Sequence, residues 1–222
     1  MGDYKKLRKE MINSHMIDRG LDDPMVEEAF MAVPREEFVP ENLKDVAYRD
    51  SPLPIEAEQT ISQPYIVALM TSSLELKPSD RVLEIGTGSG YSAAIMAEIV
   101  KDVYTIERHQ ILVDSAHARL QKLGYENIHI LQGDGSLGWP EHAPFDAIVV
   151  TAAGPDVPES LKQQLSIGGR LVIPVGGYSS SQKLLRVRRI SENEFIEEDL
   201  GGVRFVPLIG EEGWKNKKAD FI

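Results

Sequence analysis

The stretch Arg81-Val-Leu-Glu84-Ile-Gly86-Thr-Gly88-Ser-Gly90-Tyr91 constrains this chain more than any other. An apolar strand meets a carboxylate, then three glycines spaced two apart, and the helix-forming run Ser92–Ala97 follows at once. Glycines at a strand-to-helix turn let backbone approach a ligand closely, because no Cβ intervenes. Dinucleotide loops read G-x-G-x-x-G and seat a pyrophosphate on the helix N-terminus. Here the third glycine comes one residue early, and Glu84 stands just ahead of the loop. A carboxylate at that point repels a pyrophosphate and attracts an ammonium or sulfonium group. The loop therefore favours S-adenosylmethionine over a nicotinamide dinucleotide.

From Arg81 onward the hydrophobic pattern alternates between strands and helices. Strands are expected at Arg81–Ile85, Val103–Glu107, Ile128–Gln132, Phe145–Val150 and Arg170–Val175, and helices at Ser92–Val100, Gln110–Leu123 and Pro158–Gln164. Short, continuously apolar strands separated by helices predict an α/β fold with a doubly wound, mostly parallel sheet covered on both faces. After Gly176-Gly177 the pattern changes. Lys183–Ile190 and Phe195–Glu198 predict an antiparallel hairpin, Val203–Leu208 one more strand, and the polar run Lys215–Lys218 a fraying end.

Ahead of the sheet, residues 4–32 predict two helices. Asp22 or Asp23 caps the second, Pro24 sits in its first turn, and Met25, Ala29 and Phe30 form its apolar stripe. Pro34, Pro40, Pro52 and Pro54 then enforce a long irregular connection, a kind of segment that often carries function. Thr60-Ile61-Ser62-Gln63-Pro64 opens a helix from Tyr65 to about Leu76, with Ser62 as its expected N-cap. The chain is thus expected to form one domain over residues 1–222. Residues 1–58 would be an N-terminal helical and loop lobe, 59–176 the cofactor-binding core, and 177–222 the C-terminal strands and tail.

The net charge of −11 disfavours nucleic acid, and Arg186-Val-Arg188-Arg189 alternates like the solvated face of a strand. With no cysteine, disulfides, thiolate metal sites and thiol nucleophiles are excluded. No apolar run approaches membrane-spanning length and no signal-peptide core opens the chain, so a cytoplasmic protein away from membranes is expected. His109 and His117 share a predicted helix without metal-ligand spacing, and no G-x-S-x-G elbow supports a serine hydrolase.

In an open parallel sheet, ligands bind beyond the C-terminal strand ends. Here successive ends carry Glu84 with Gly86, Gly88 and Gly90, then Glu107, then Gly133-Asp134-Gly135, then Thr151-Ala-Ala-Gly154. Each alone reads as a turn or a cap. Glu107, about twenty residues past the loop, occupies the place of an acid for ribose hydroxyls. Asp146, at a strand entrance, is expected to serve solvation or backbone capping. The ordered set indicates nucleotide-type binding.

Several motifs resemble the protein-L-isoaspartate (D-aspartate) O-methyltransferase family over nearly the whole length. They are Val33-Pro34-Arg35-Glu36-Glu37-Phe38-Val39-Pro40, Tyr48-Arg-Asp-Ser-Pro-Leu-Pro54-Ile55, Gln59-Thr60-Ile61-Ser62-Gln63-Pro64, Leu83–Tyr91, Gly168–Gly176 and Val203–Leu208. The resemblance implies a sheet of the S-adenosylmethionine-dependent methyltransferase type, with an N-terminal helical lobe and a C-terminal antiparallel addition. It implies methyl transfer to the free α-carboxylate of L-isoaspartyl residues in damaged proteins, with S-adenosylhomocysteine as product and no metal; a monomer is expected. The methyl ester then closes to a succinimide, and water opens that ring partly to normal aspartate. A carboxylate is already nucleophilic at neutral pH, so alignment without a general base suffices. In keeping with this, Thr151-Ala-Ala stands where enzymes that methylate amide or base nitrogens carry Asn-Pro-Pro-Tyr.

Carried onto this chain, the resemblance makes Ser62 the catalytic residue. Gln63 and Tyr65 would line the cofactor pocket, Glu84 would lie near the methionine end, Glu107 would bind the ribose, and Asp134 with Gly135 would meet the adenine. Ile61, Phe205 and Val206 would lie near the peptide. Family members often carry glycines just before Gln59, as in Gly-x-Gly-Gln-Thr, where this chain reads Glu56-Ala57-Glu58. A positive φ there strains a glutamate by about 1 kcal/mol or more. Alternatives from the residues alone are a small-molecule O-methyltransferase on the same fold, a dinucleotide-dependent oxidoreductase, and a non-catalytic cofactor-binding module.

Overall fold

The computed structural model of the chain describes residues 3–178 and 181–215. Two helices, α1 (Tyr4–His15) and α2 (Pro24–Ala32), open it. The Asp3 carboxylate accepts from Lys6 N–H, and that of Asp23 accepts from Val26 N–H, so each helix starts on an acidic cap. In α2 the apolar stripe is Val26, Ala29 and Phe30. Met25 lies outside it and is 45% exposed, because the 3–4 spacing that buries Val26 and Phe30 turns its neighbour away from the core.

An irregular stretch with 3-10 turns at Arg35–Phe38 and Glu41–Val46 leads to a two-stranded ribbon, β1 (Leu53–Pro54) with β2 (Thr60–Ile61). Helix α3 (Pro64–Ser73) follows. Gln63 occupies the cap position of α3, so the expected capping by Ser62 is corrected. Pro64 has no N–H to cap, and the Asp50 carboxylate, delivered from the preceding loop, takes the Tyr65 N–H at 3.1 Å instead.

The main sheet holds β3 (Arg81–Ile85), β4 (Asp102–Glu107), β5 (Ile128–Gln132), β6 (Phe145–Val150), β7 (Leu165–Gly176), β8 (Gln182–Arg189) and β9 (Phe195–Val203). Its order is β5-β4-β3-β6-β7-β8-β9, with parallel pairing from β5 to β7 and antiparallel pairing from β7 to β9. The crossovers run through α4 (Tyr91–Ala97), α5 (Gln110–Lys122) and α6 (Glu159–Gln163). Strand order reverses outward from β3 and β6, which is where a doubly wound sheet opens a ligand crevice.

Consecutive strand residues face opposite layers. Val82 and Val149 pack under α3 and α4, whereas Leu83, Ile148 and Val150 pack with Leu161 of α6 on the other side. A third cluster joins Phe30, Phe38, Tyr91, Leu112 and Leu120, so the N-terminal lobe docks directly on the glycine-loop helix. At the strand entrances, the Asp146 carboxylate accepts from Arg81 N–H at 2.9 Å. Nearby, buried Arg170 pairs with Asp80 at 2.9 Å and donates to the Glu75 carbonyl at 2.5 Å. These contacts brace the end of the sheet opposite the glycine loop.

The expected strand at Val203–Leu208 is not formed as such. Val203 ends β9, and the chain then crosses the strand ends through an isolated bridge between Ala153 and Pro207. Pro207 cannot donate to a ladder. The Gln182 side chain takes over both main-chain groups of Phe205, accepting its N–H at 2.8 Å and donating to its carbonyl at 3.3 Å. On β8, Arg186 pairs with Glu75 and Glu198, and Arg188 with Glu75, so this basic run is a charge-paired strand face. The fraying expected for Lys215–Lys218 falls, beyond Lys215, outside the described residues. Among the described residues no helix is long and apolar enough to cross a membrane, and no group of His, Asp and Glu could hold a metal ion.

Candidate active site

A cavity of about 520 Å³ opens over the C-terminal ends of β3, β4 and β6. Its walls are Ala57–Ser62, the glycine loop with Tyr91 and Ser92, Ile106–His109, Gly135, Thr151-Ala152, Tyr178 and Val206–Ile209. The segment before α3 therefore faces the glycine loop across one cavity.

The loop is held by its neighbours. Gly86, Gly88 and Gly90 all take positive φ. A Cβ on Gly86 would stand 2.3 Å from Thr151 Oγ1, and this hydroxyl lies 3.0 Å from the Ile85 carbonyl oxygen and 2.9 Å from that of Gly86. Only glycine permits the φ of +100° and the close approach together. The Glu107 carboxylate accepts from Gly88 N–H at 3.0 Å through one oxygen and from His109 N–H at 2.9 Å through the other. It clamps the loop and still faces the cavity, with acceptor capacity left on each oxygen.

Glu84 is wholly buried behind the loop. One carboxyl oxygen accepts from Thr105 Oγ1 at 2.7 Å, and Thr105 in turn meets Thr87 Oγ1 at 2.7 Å. The other oxygen, Oε1, has no partner. Burial pushes the Glu84 carboxyl up to about 7, and the neighbouring hydroxyls of Thr105 and of the cavity-lining Ser92 oppose the rise. A buried acceptor with a spare oxygen, one side chain away from the cavity, suits a cationic group of a ligand.

Ser62 lines the cavity, and its hydroxyl makes no hydrogen bond within the described chain. Ile61, buried by pairing of β2 with β1, lines it too, as does Val206, whose carbonyl is fixed by Ala153 N–H at 2.8 Å. The turn below Ser62 has the conformation that glycine favours without having glycine. Ala57 sits at φ 56° and Glu58 at φ 57°. Backbone bonds between Ile55 and Gln59 and between Gln59 and Glu56 close this turn.

Other residues singled out in the sequence stand behind the walls. The Gln63 side chain donates to Asp50 at 2.7 Å, and the Tyr65 ring stacks under the Arg19 guanidinium at 3.3 Å, so both face the N-terminal lobe. Asp134 spends one oxygen on Ser136 N–H and Oγ and the other on Glu211 N–H, which ties the C-terminal loop to the third strand end. Gly133 packs on Ile106 and Leu131, and Gly135 alone of that tripeptide reaches the cavity. Phe205 packs into the core beside β8, and Gly90 is the cap of α4 beneath Leu120. Sequence reasoning assigned no role to Arg35, Asp50, Thr151 or Tyr178. Arg35 and Asp50 lay inside recognised motifs, but their partners are distant in sequence.

A glycine loop clamped by an acid on the next strand, under a cavity at the switch point of a doubly wound sheet, defines a protein of the nucleotide-cofactor-binding class. The sequence matches the family model described as Protein-L-isoaspartate(D-aspartate) O-methyltransferase (PCMT) over residues 6–213, and the chain belongs to that family. It is 60% identical over 207 residues to Protein-L-isoaspartate O-methyltransferase 1 of Geotalea uraniireducens, covering 93% of this chain and 94% of that protein. It is 58% identical to Protein-L-isoaspartate O-methyltransferase 2 of Pelobacter propionicus, with coverages of 93% and 92%. A solved protein-L-isoaspartate O-methyltransferase superposes with a TM-score of 0.82 at 30% identity, over 95% of this chain and 67% of that one. A relative from Plasmodium falciparum, solved with S-adenosyl-L-homocysteine, superposes with a TM-score of 0.78 at 27% identity, covering 94% and 99%.

Proposed function

We propose that this chain transfers a methyl group from S-adenosyl-L-methionine to the free α-carboxylate of L-isoaspartyl residues in damaged proteins and peptides, initiating repair through a succinimide. The carrying observation is that family membership spans residues 6–213 while the family-specific segment Gln59–Ser62 and the glycine loop face each other across one cavity. The residues fit the cofactor: a clamped glycine loop and an acid at the next strand end line the cavity, and a buried carboxyl with a spare oxygen lies behind the loop. When bound, S-adenosyl-L-methionine supplies a sulfonium-activated methyl, and S-adenosyl-L-homocysteine remains.

In this reading Glu84 serves the methionine end, through Ser92 and its unpartnered oxygen. Glu107 accepts the ribose hydroxyls on its remaining lone pairs. The backbone of Gly86 and Gly88 forms the floor of the site, and Gly90 shapes the loop by opening α4 behind it. Gly135 borders the adenine, and Gly133 and Asp134 act by shaping that turn. Gln63 and Tyr65 support the pocket by fixing the first turn of α3. The Ser62 hydroxyl donates to the acceptor carboxylate, and Ile61, Val206 and the backbone of Phe205 flank the peptide. No residue needs to remove a proton, because the acceptor is already an anion. Alignment of acceptor and donor can supply about 7–11 kcal/mol of the barrier reduction. The same reading has the whole chain acting as one catalytic unit, a cytoplasmic monomer whose macromolecular partners are damaged proteins.

Twin peptides test it, one with L-isoaspartate and one with ordinary aspartate, each incubated with methyl-labelled cofactor. Label is expected on the isoaspartyl peptide alone. Equal or absent labelling of the two overturns the assignment, and labelling of small acids or phenols instead would identify a small-molecule enzyme.

A further inference from the structure

Arg35 is the largest wholly buried side chain in the described structure, and nothing in the methyl-transfer account uses it. It leaves α2 through Val33-Pro34 and turns inward at the start of the following 3-10 turn. Its Nε donates to the Ala47 carbonyl at 2.8 Å, and its Nη2 donates to the Ser62 carbonyl at 2.7 Å. Its Cζ lies 4.7 Å from the centroid of the Tyr91 ring. Nη1 has no partner, and neither has the Tyr91 hydroxyl.

A buried guanidinium is costly unless carbonyls, charges or ring faces satisfy it. Here the satisfying groups come from three segments that are separate in sequence. Ser62 belongs to the acceptor wall. Tyr91 follows Gly90 directly and opens the helix after the donor loop. Ala47 belongs to the lobe that carries Asp50, whose carboxylate holds Gln63 and the Tyr65 N–H on the other flank of Ser62. One rigid planar cation therefore spans both walls of the cavity from behind.

We infer that Arg35 is a positioning residue for methyl transfer, setting the separation between the Ser62 segment and the glycine loop through the Ser62 carbonyl and the Tyr91 ring. This rests on the methyl-transfer reading of the cavity. Arg35 touches no reacting group; it acts through the segments that do. Transfer between aligned atoms is steep in distance, and a 1 Å misplacement costs about 100-fold in rate.

The test compares Arg35→Met and Arg35→Lys with Met16→Ala, a truncation of a buried core side chain in the same lobe that is not part of the cavity lining. All are assayed well below their melting temperatures. For Arg35→Met, kcat on the isoaspartyl peptide is expected to fall about 100-fold, while the dissociation constant for S-adenosylhomocysteine stays near that of wild type. Arg35→Lys, which keeps the charge and one donor direction, is expected to recover part of the loss. Met16→Ala is expected to keep kcat despite a lowered melting temperature.

Hydrogen exchange supplies a readout independent of turnover. Arg35→Lys should lose protection at residues 60–65 and 88–92 together, and Met16→Ala should not. Should Arg35→Met fail to fold, the Lys variant and its exchange pattern decide alone. A kcat loss no larger than that of Met16→Ala, or unchanged protection of both segments in Arg35→Lys, overturns the inference. Failure of wild type to label the isoaspartyl peptide would instead overturn the assigned reaction, and the exchange pattern would still report on Arg35.

Discussion

Glu58→Gly should make this protein more stable. Glu58 is exposed and sits at φ 57°, a region in which a side chain with Cβ costs about 1–2 kcal/mol. Glycine removes that cost and adds freedom to the unfolded chain worth about 0.4–1 kcal/mol. The difference is a net gain of about 0.5–1 kcal/mol, or a rise in melting temperature of about 1–4 °C for a chain of this size. Ala57, at φ 56°, is a poorer choice because its methyl packs on the N-terminal core cluster. Urea unfolding and calorimetry of wild type, Glu58→Gly and Glu58→Ala measure the effect. Alanine removes the charge and keeps Cβ, so it should stay at the wild-type midpoint while glycine moves up. If both variants shift equally, the effect belongs to the carboxylate, and the backbone reasoning is refuted.

Two further outcomes are expected. Ser62→Ala removes a donor to a charged acceptor, so kcat should fall about 10- to 100-fold, with S-adenosylhomocysteine affinity nearly unchanged. Lost affinity at an unchanged kcat would reverse that role. The Glu84 carboxyl is raised by burial from 4.5 to about 7. Below pH 4.5 both folded and unfolded forms hold the proton. Between there and about 7 only the folded form does, so stability falls as pH rises through this window and then levels off. Urea midpoints of wild type minus Glu84→Gln should trace that decline, and a difference that is flat with pH would place the Glu84 carboxyl near its ordinary value.

The parallel core was legible because its central strands are apolar on both faces. Arg81–Ile85, Ile128–Gln132 and Phe145–Val150 form with the expected boundaries. Turn chemistry was legible wherever one residue type alone suits a conformation, as at Gly86. The departure at Glu56–Glu58 was legible in part: Glu58 takes the left-handed conformation whose strain it implied, whereas Glu56 does not and the second left-handed residue of the turn is Ala57. Capping of α3 was not, since Asp50 and Tyr65 meet only after the irregular segment folds back. Nor was the fate of Val203–Leu208, where β propensity yields to the Gln182 side chain and the missing N–H of Pro207.

By itself the sequence determined the layer architecture, the glycine loop and the acids that follow its strands. These depend on periodicity and on backbone conformations that few residues tolerate. Only the tertiary structure decided which of those residues face the cavity. Glu107 and Gly135 reach it, whereas Gln63, Tyr65 and Asp134 turn to partners in the N-terminal lobe and the C-terminal loop. It also decided that a buried arginine from the first lobe lies beneath both walls. A side chain goes where its polar atoms find partners, and those partners come from segments that only folding brings within reach.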